Sequence, residues 1–292
     1  MSETAMTATA GRLAGKVAMA TASTRGIGYA IVKRFAEEGA TVYMAARNAE
    51  RAQGKIDQLA QGNLPGTVKF VYNDASKDET YVSAVEEVVA NEGRIDVLVN
   101  NFGTSNPAKD LDIEHTDPQE FIDIVDINLK SVFITSQAAL KHMAERKSGS
   151  IINISSIGGA VPDISQIGYG TSKAAINYLT KLIAVHEARK NIRCNAVLPG
   201  MTATDAVQNT LNDEFREFFL HHTPIRRMAT PEEIANAVLY FASDESQFTT
   251  GQIWRCAAAS VWPLRCSATC RTSPAPPDGC RFAALRRIRN GF

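Results

Sequence analysis

The sequence predicts an α/β domain built as one doubly wound parallel sheet with helices on both faces. Three observations carry this expectation. Short apolar runs alternate with stretches of helical apolar spacing from Lys16 to about Ala242. Runs such as VLVN and SIINIS are continuously apolar rather than alternating, as strands covered on both faces are. The stretches between them are long enough for the right-handed crossovers that parallel strands require.

The expected strands, in order, are Val17–Thr21, Thr41–Ala46, Val68–Asn73, Val97–Asn101, Ser150–Ser155 and Ile192–Leu198. Between them, apolar residues near i, i+3, i+4 mark helices at Ile27–Glu38, Thr80–Asn91, Gln119–Met143 and Tyr169–Ala188. Gly39 suits the position just past the first of these helices. The length of 292 residues allows one large domain or two small ones. With no internal repeat and no linker before residue 253, residues 12–253 are expected to form one domain.

The formal net charge is zero, but it is unevenly distributed. From Trp254 to the end there are seven Arg, no Lys and one acid, Asp278; residues 1–253 carry a net charge of −6. An acidic body argues against nucleic acid as a partner. The N-terminus lacks a basic segment followed by an apolar one, and no run approaches the roughly 18 apolar residues that span a bilayer. A soluble, cytoplasmic protein without a membrane partner is expected.

The stretch KVAMATASTRGIGYAIVKRFAEEGA places a strand, a small-residue turn and a helix in succession. Such a turn brings backbone close to a dinucleotide pyrophosphate at a helix N-terminus, the Rossmann arrangement. Here it reads Thr21-Ala22-Ser23-Thr24-Arg25-Gly26-Ile27-Gly28, with Ala22 where the first glycine would stand. After the second strand comes Ala45-Ala46-Arg47-Asn48, without the carboxylate that usually holds a ribose 2′-hydroxyl. Arg47 and Arg25 would instead clamp a 2′-phosphate, which favours NADP over NAD; the alternative for either is a solvated surface charge. Asp74, beside Ala75, is read either as an acceptor for the adenine amino group or as a loop cap.

Ser156, Tyr169 and Lys173 form the chemical constellation. Tyr and Lys at i and i+4 share a helix face. A free phenol ionises near 10, too high for efficient proton transfer at neutral pH, and an adjacent ammonium favours its phenolate. A strand-end serine can orient a substrate hydroxyl or carbonyl oxygen.

Together these residues resemble the short-chain dehydrogenase/reductase family, from about Leu13 to Ile253. The matches are Thr21–Gly28, Asn100-Asn101-Phe102-Gly103, Asn128, Ser156, Tyr169, Lys173, and Pro199-Gly200 with Thr204. The resemblance implies that Tyr169 is the general acid/base and that Ser156 holds the reacting oxygen. It implies that Lys173 binds the nicotinamide ribose and lowers the Tyr169 pKa. It further implies that Asn128 holds a relay water, that Thr204 contacts the carboxamide, and that the assembly is a homotetramer. Ala22 and Phe102 depart from the family pattern. Within the family, VYMAARN, VPDISQIGYGTSKAAINYLT, ARKNIRCNAVLPG and PEEIANAVLYFASD resemble bacterial NADP-dependent 7α-hydroxysteroid dehydrogenases. That implies a bile-acid substrate oxidised at its 7α-hydroxyl to a 7-oxo group. The alternatives are a carrier-protein-linked 3-oxoacyl reductase, a catalytically impaired member, or a non-catalytic nucleotide-binding protein.

Met201–Met228 carries Phe215, Phe218, Phe219 and Leu220, a composition suited to an amphipathic flap over an apolar substrate, to ordinary helix packing or to a subunit contact. Of the five histidines only His221 and His222 are close in sequence, and adjacent residues do not share a helix face, so no metal site is expected. The segment 254–292 holds Cys256, Cys266, Cys270 and Cys280 without a C-x₂-C pair and shows no sustained apolar period. It reads as an out-of-frame ending, or else as a basic extension for an acidic partner. The first reading predicts that the sheet lacks its usual last strand.

Overall fold

The computed structural model describes residues 11–210, 213–221 and 223–259. Seven parallel strands form one sheet: β1 Val17–Thr21, β2 Thr41–Ala46, β3 Thr67–Tyr72, β4 Val97–Asn100, β5 Gly149–Ile154, β6 Ile192–Pro199 and β7 Ile253–Cys256. Their spatial order is β3-β2-β1-β4-β5-β6-β7. The order reverses between β1 and β4, and that switch point leaves a crevice outside the carboxyl ends of the strands.

The helices are α1 Gly26–Glu37, α2 Ala49–Ala60, α3 Glu79–Glu92, α4 Pro118–Arg146, α5 Ile167–Glu187, α6 Asp205–Thr210, α7 Asp213–His221 and α8 Pro231–Ala242. The pleat of the sheet sorts its side chains into two cores. Ala18, Ala20, Val42 and Met44 face one layer, with Ile31 and Phe35 of α1 and Leu239 and Phe241 of α8. Val17, Met19, Tyr43 and Ala45 face the other, with Val88 of α3, Met143 of α4 and Ile183 of α5. The central strands are covered on both faces, so both register positions are mostly apolar, hence their nearly unbroken apolar runs, whereas the edge strand β3 is partly exposed.

The first six strands lie within one or two residues of the expected spans. α2, α6, α7 and α8 have no counterpart among the four expected helices; α6 and α7 fall within the Met201–Met228 segment. In α2 only Ala52 and Leu59 are buried, too few to impose a period on the sequence. In α8 the start signal is complete: Pro231 follows the N-cap Thr230, which forms a capping box with Glu233.

The expectation of a missing last strand is corrected. β7 pairs with β6 in the register Ala196↔Ile253, Val197↔Trp254, Leu198↔Arg255 and Pro199↔Cys256. The expected boundary at residue 253 therefore cuts this strand after its first residue. Strand pairing is made by the main chain, so it tolerates Trp254, Arg255 and Cys256 on a sheet edge. Trp254 packs edge-on against Tyr240 and Phe241, with ring centres 5.6 Å and 5.3 Å away. Cys266, Cys270, Cys280, His222 and the side chains of Phe215, Phe218 and Phe219 lie outside the described residues.

Candidate active site

The turn between β1 and α1 is held by the strand next to it. The main-chain amides of Asn101 and Phe102 both donate to the Thr21 hydroxyl at 3.0 Å. The Asn101 side-chain amide donates to the carbonyls of Thr21 and Ala22, at 3.0 Å and 3.1 Å. Ser23 is buried and donates to the Ala20 carbonyl at 2.7 Å. The side chains of Thr21, Ser23 and Asn101, expected at the cofactor, therefore brace the turn against β1 and the loop after β4. Ala22 stands at φ 51°, in the left-handed region, which explains why glycine suits this position.

Gly28 is indispensable for a different reason. A Cβ there would meet Asn101 Nδ2 at 2.6 Å and the Ala22 carbonyl oxygen at 2.7 Å. Gly26 has φ 54° and lies beneath the methyl group of Thr204, which would be 3.1 Å from an added Cβ. The first turn of α1 carries no acidic residue, and its N-cap, Arg25, makes no side-chain capping bond. The first amides of α1 are thus left to a ligand or to solvent. Thr24 and Ile27 are half-buried at the same turn, while Arg25 and Arg47 are exposed. Asp74 Oδ1 accepts from the main-chain amide of Ser76 at 3.1 Å and from its hydroxyl at 2.9 Å. These two bonds hold the Asp74 carboxyl below its ordinary range, and the charge of Arg47 contributes in the same direction. Asp74 therefore caps its loop, and Ala75 accepts from the Tyr81 hydroxyl at 2.9 Å. On the far side, β6 ends at Pro199, and the Gly200 amide donates to Cys256 of β7 at 2.9 Å.

Ser156, Tyr169 and Lys173 converge at the carboxyl end of β5. Ser156 lies two residues past β5, where it caps a short 3₁₀ turn, Ile157–Gly159, by accepting from the Gly158 amide at 3.1 Å. It is also the side-chain hydrogen-bond partner of Tyr169. Lys173, one turn along α5, is buried; its Nζ lies 5.6 Å from the Tyr169 ring centre and donates to the Ile154 carbonyl at 3.0 Å. Burial lowers the Lys173 ammonium to about 8. The expected depression of Tyr169 is not what this arrangement produces. Burial holds the phenol above its ordinary range, opposed by the Ser156 hydrogen bond.

Asn128 is fully buried in α4. Its Oδ1 accepts from the Thr104 amide at 2.8 Å, and its Nδ2 donates to the Thr104 carbonyl at 2.8 Å and to Ser172 Oγ at 3.0 Å. Its side chain thereby ties the loop after β4 to α5. A cavity of about 680 Å³ opens beside Tyr169 and Ser156. Its walls include Leu111, Ile113, Ile157, Val161, Pro162 and Ile164, with Asp112 and Asp163 among them. Sequence reasoning missed Asp110, Thr104 and Ser172. Only Ser172 has a local signal, its position beside Lys173.

A doubly wound parallel sheet with a glycine-lined crevice at its switch point and a Ser–Tyr–Lys set beside an apolar cavity defines a nucleotide-dependent oxidoreductase. The chain belongs to the short-chain dehydrogenase/reductase family: a family profile described as Enoyl-(Acyl carrier protein) reductase matches residues 21–256. It is 52% identical to a 7α-hydroxysteroid dehydrogenase of Clostridium sardiniense, over 83% of this chain and 92% of that protein. It is 38% identical to a 3-oxoacyl-[acyl-carrier-protein] reductase of Thermotoga maritima, over 83% of this chain and 96% of that one. A solved short-chain type dehydrogenase/reductase from Mycobacterium ulcerans superposes with a TM-score of 0.80 at 25% identity, covering 85% of this chain and 90% of the other.

Proposed function

We propose that this chain is an NADP-linked oxidoreductase that oxidises the 7α-hydroxyl of bile acids to a 7-oxo group, reversibly. The observation that carries the reading is the Ser156–Tyr169–Lys173 set at the edge of a large apolar cavity, in a chain half identical to a 7α-hydroxysteroid dehydrogenase. Apolar walls suit a flat, rigid, mostly hydrocarbon substrate.

The residues fit a nicotinamide dinucleotide. Gly28 lets α1 pack closely on the Ala22 carbonyl and Asn101, Gly26 supplies the left-handed turn into the helix, and the first amides of α1 are available to phosphate oxygens. Arg25 and Arg47 are exposed beside that turn and at the end of β2, and the four residues Ala45–Asn48 contain no carboxylate to repel a 2′-phosphate. Thr204, over Gly26, and Pro199-Gly200 would border the nicotinamide. When bound, the nicotinamide supplies the hydride acceptor or donor.

In alcohol oxidation the Tyr169 oxygen takes the hydroxyl proton while the Ser156 hydroxyl donates to the same substrate oxygen. In reduction the Tyr169 phenol returns that proton. Lys173 places a positive charge against the Tyr169 ring and fixes α5 to the end of β5 through Ile154. Asn128 ties the loop after β4 to α5, and a relay water held there would pass the proton onward. Cytoplasmic residence and a homotetramer complete the reading. Residues 254–292 are read as an out-of-frame ending whose first three residues still pair with β6 through the main chain. Sequencing the coding DNA tests this: a single-base shift just before the Trp254 codon should open a Gly-rich ending, and its absence would refute the frameshift.

The functional test is reduction of NADP⁺, followed at 340 nm, with a 7α-hydroxy bile acid and with its 7β epimer. Turnover of the 7α epimer alone is expected. Turnover of 3-oxoacyl thioesters and of neither epimer would replace the steroid reading with the reductase one.

A further inference from the structure

We infer that Asp110 is a positioning residue for Tyr169, holding the main chain of the acid/base residue from a loop that also lines the substrate cavity. Asp110 is completely buried. Its Oδ1 accepts from the Gly168 amide at 2.8 Å and its Oδ2 from the Tyr169 amide at 2.9 Å. These are first-turn amides of α5, which have no partner within a helix. The N-cap of α5, Gln166, stands at φ 60° and makes no side-chain capping bond, so the cap is supplied from 58 residues upstream. Gly168 makes the approach possible: a Cβ there would already lie 3.3 Å from Asp110 Oδ1 and 3.4 Å from Ile124.

Two features separate this from ordinary capping. Tyr169 is gripped at both its N–H and its carbonyl. Its N–H is taken by Asp110, and its carbonyl accepts from Ser172 Oγ at 2.7 Å, with Ser172 in turn held by Asn128. The Asp110 loop also makes two main-chain bonds to the same turn, Gln166 N to Asp110 O and Ile167 N to Leu111 O, at 3.1 Å and 3.2 Å. Leu111, Asp112 and Ile113, the next three residues, line the cavity. A charged acceptor makes stronger bonds than a neutral one and lies at the positive end of α5. The Asp110 carboxylate therefore fixes the register between the wall that positions the substrate and the phenol that exchanges its proton.

This rests on Tyr169 being the acid/base residue, and the test keeps the two claims apart. Asp110→Asn retains one acceptor oxygen and Asp110→Ala none. Steady-state kinetics should show kcat falling in the order wild type, Asn, Ala, by about 10–100-fold for Ala, since a 1 Å misplacement can cost about 10² in rate. KM and the dissociation constant for NADPH should stay within about twofold. Amide hydrogen exchange at Gly168 and Tyr169 should speed up in the same order. Wild-type kcat in Asp110→Ala overturns the inference, as does exchange at the wild-type rate, which can be read without any turnover. A loss confined to cofactor affinity also overturns it. Failure of the steroid reading shows instead in the wild-type protein, and the variant-to-wild-type ratio is then read on whichever secondary alcohol it oxidises.

Discussion

The buried Lys173 ammonium lies 5.6 Å from the centre of the Tyr169 ring and bonds to the Ile154 carbonyl. Burial brings it to about 8, well below the 10.5 of an exposed lysine. In the unfolded chain the lysine therefore binds its proton up to about 10.5, and in the fold only up to about 8. The unfolded state holds more protons between those values, so this group's penalty is full below about 8 and fades as pH rises toward 10.5. Lys173→Met should stabilise the fold at pH 7 by roughly 1–3 kcal/mol, a span set by about 1.4 kcal/mol per pKa unit less the lost hydrogen bond. The gain should shrink by pH 10, and turnover should be lost. Denaturant unfolding of both proteins at the two pH values checks this.

The phenol of Tyr169 is displaced in the other direction, upward, by burial. It is protonated at neutral pH, where it can serve as an acid. Ketone reduction should therefore be fast at neutral pH, and alcohol oxidation should rise with pH through the alkaline range. Initial rates in both directions across pH 6 to 10 would show this; an oxidation rate that falls above pH 8 would count against Tyr169 as the base.

Ala22 occupies a left-handed conformation that costs a Cβ-bearing residue roughly 1–2 kcal/mol. Ala22→Gly removes that strain and adds unfolded-state entropy worth about 0.4–1 kcal/mol. A net stabilisation of about 0.5–1 kcal/mol is expected in equilibrium unfolding, with NADPH affinity unchanged.

Arg47, the residue after β2, is exposed, and its charge acts on Asp74. If it holds a 2′-phosphate, Arg47→Ala should raise KM for NADP⁺ by about 10–100-fold, the cost of one charge-assisted hydrogen bond of roughly 1.5–3 kcal/mol, and leave KM for NAD⁺ unchanged. Equal effects on both cofactors would place the 2′-phosphate elsewhere.

Much of this architecture is legible in the sequence because it is local. VLVN reads as a strand since both of its faces are buried, and Tyr169 and Lys173 share a helix face by spacing alone. Ala22 is visible as a missing glycine, although its φ value is not. Asp110 is invisible, because its partners lie 58 and 59 residues away and nothing around it marks a helix cap. Asn101 was legible as a site residue, but not as a brace for the turn. β7 is hard to read in the sequence because Trp254, Arg255 and Cys256 form no strand pattern, whereas its pairing with β6 depends on the main chain. The raised phenol of Tyr169 follows from burial, which a Tyr–Lys spacing cannot report.

The most direct test of the account is Tyr169→Phe, which removes only the hydroxyl and keeps the ring against Lys173. NADPH binding, followed by fluorescence titration, should match the wild type while oxidation of the 7α-hydroxy bile acid falls to background. A Tyr169→Phe protein that binds NADPH and still turns over at a rate near that of the wild type would contradict the assignment of proton transfer to Tyr169.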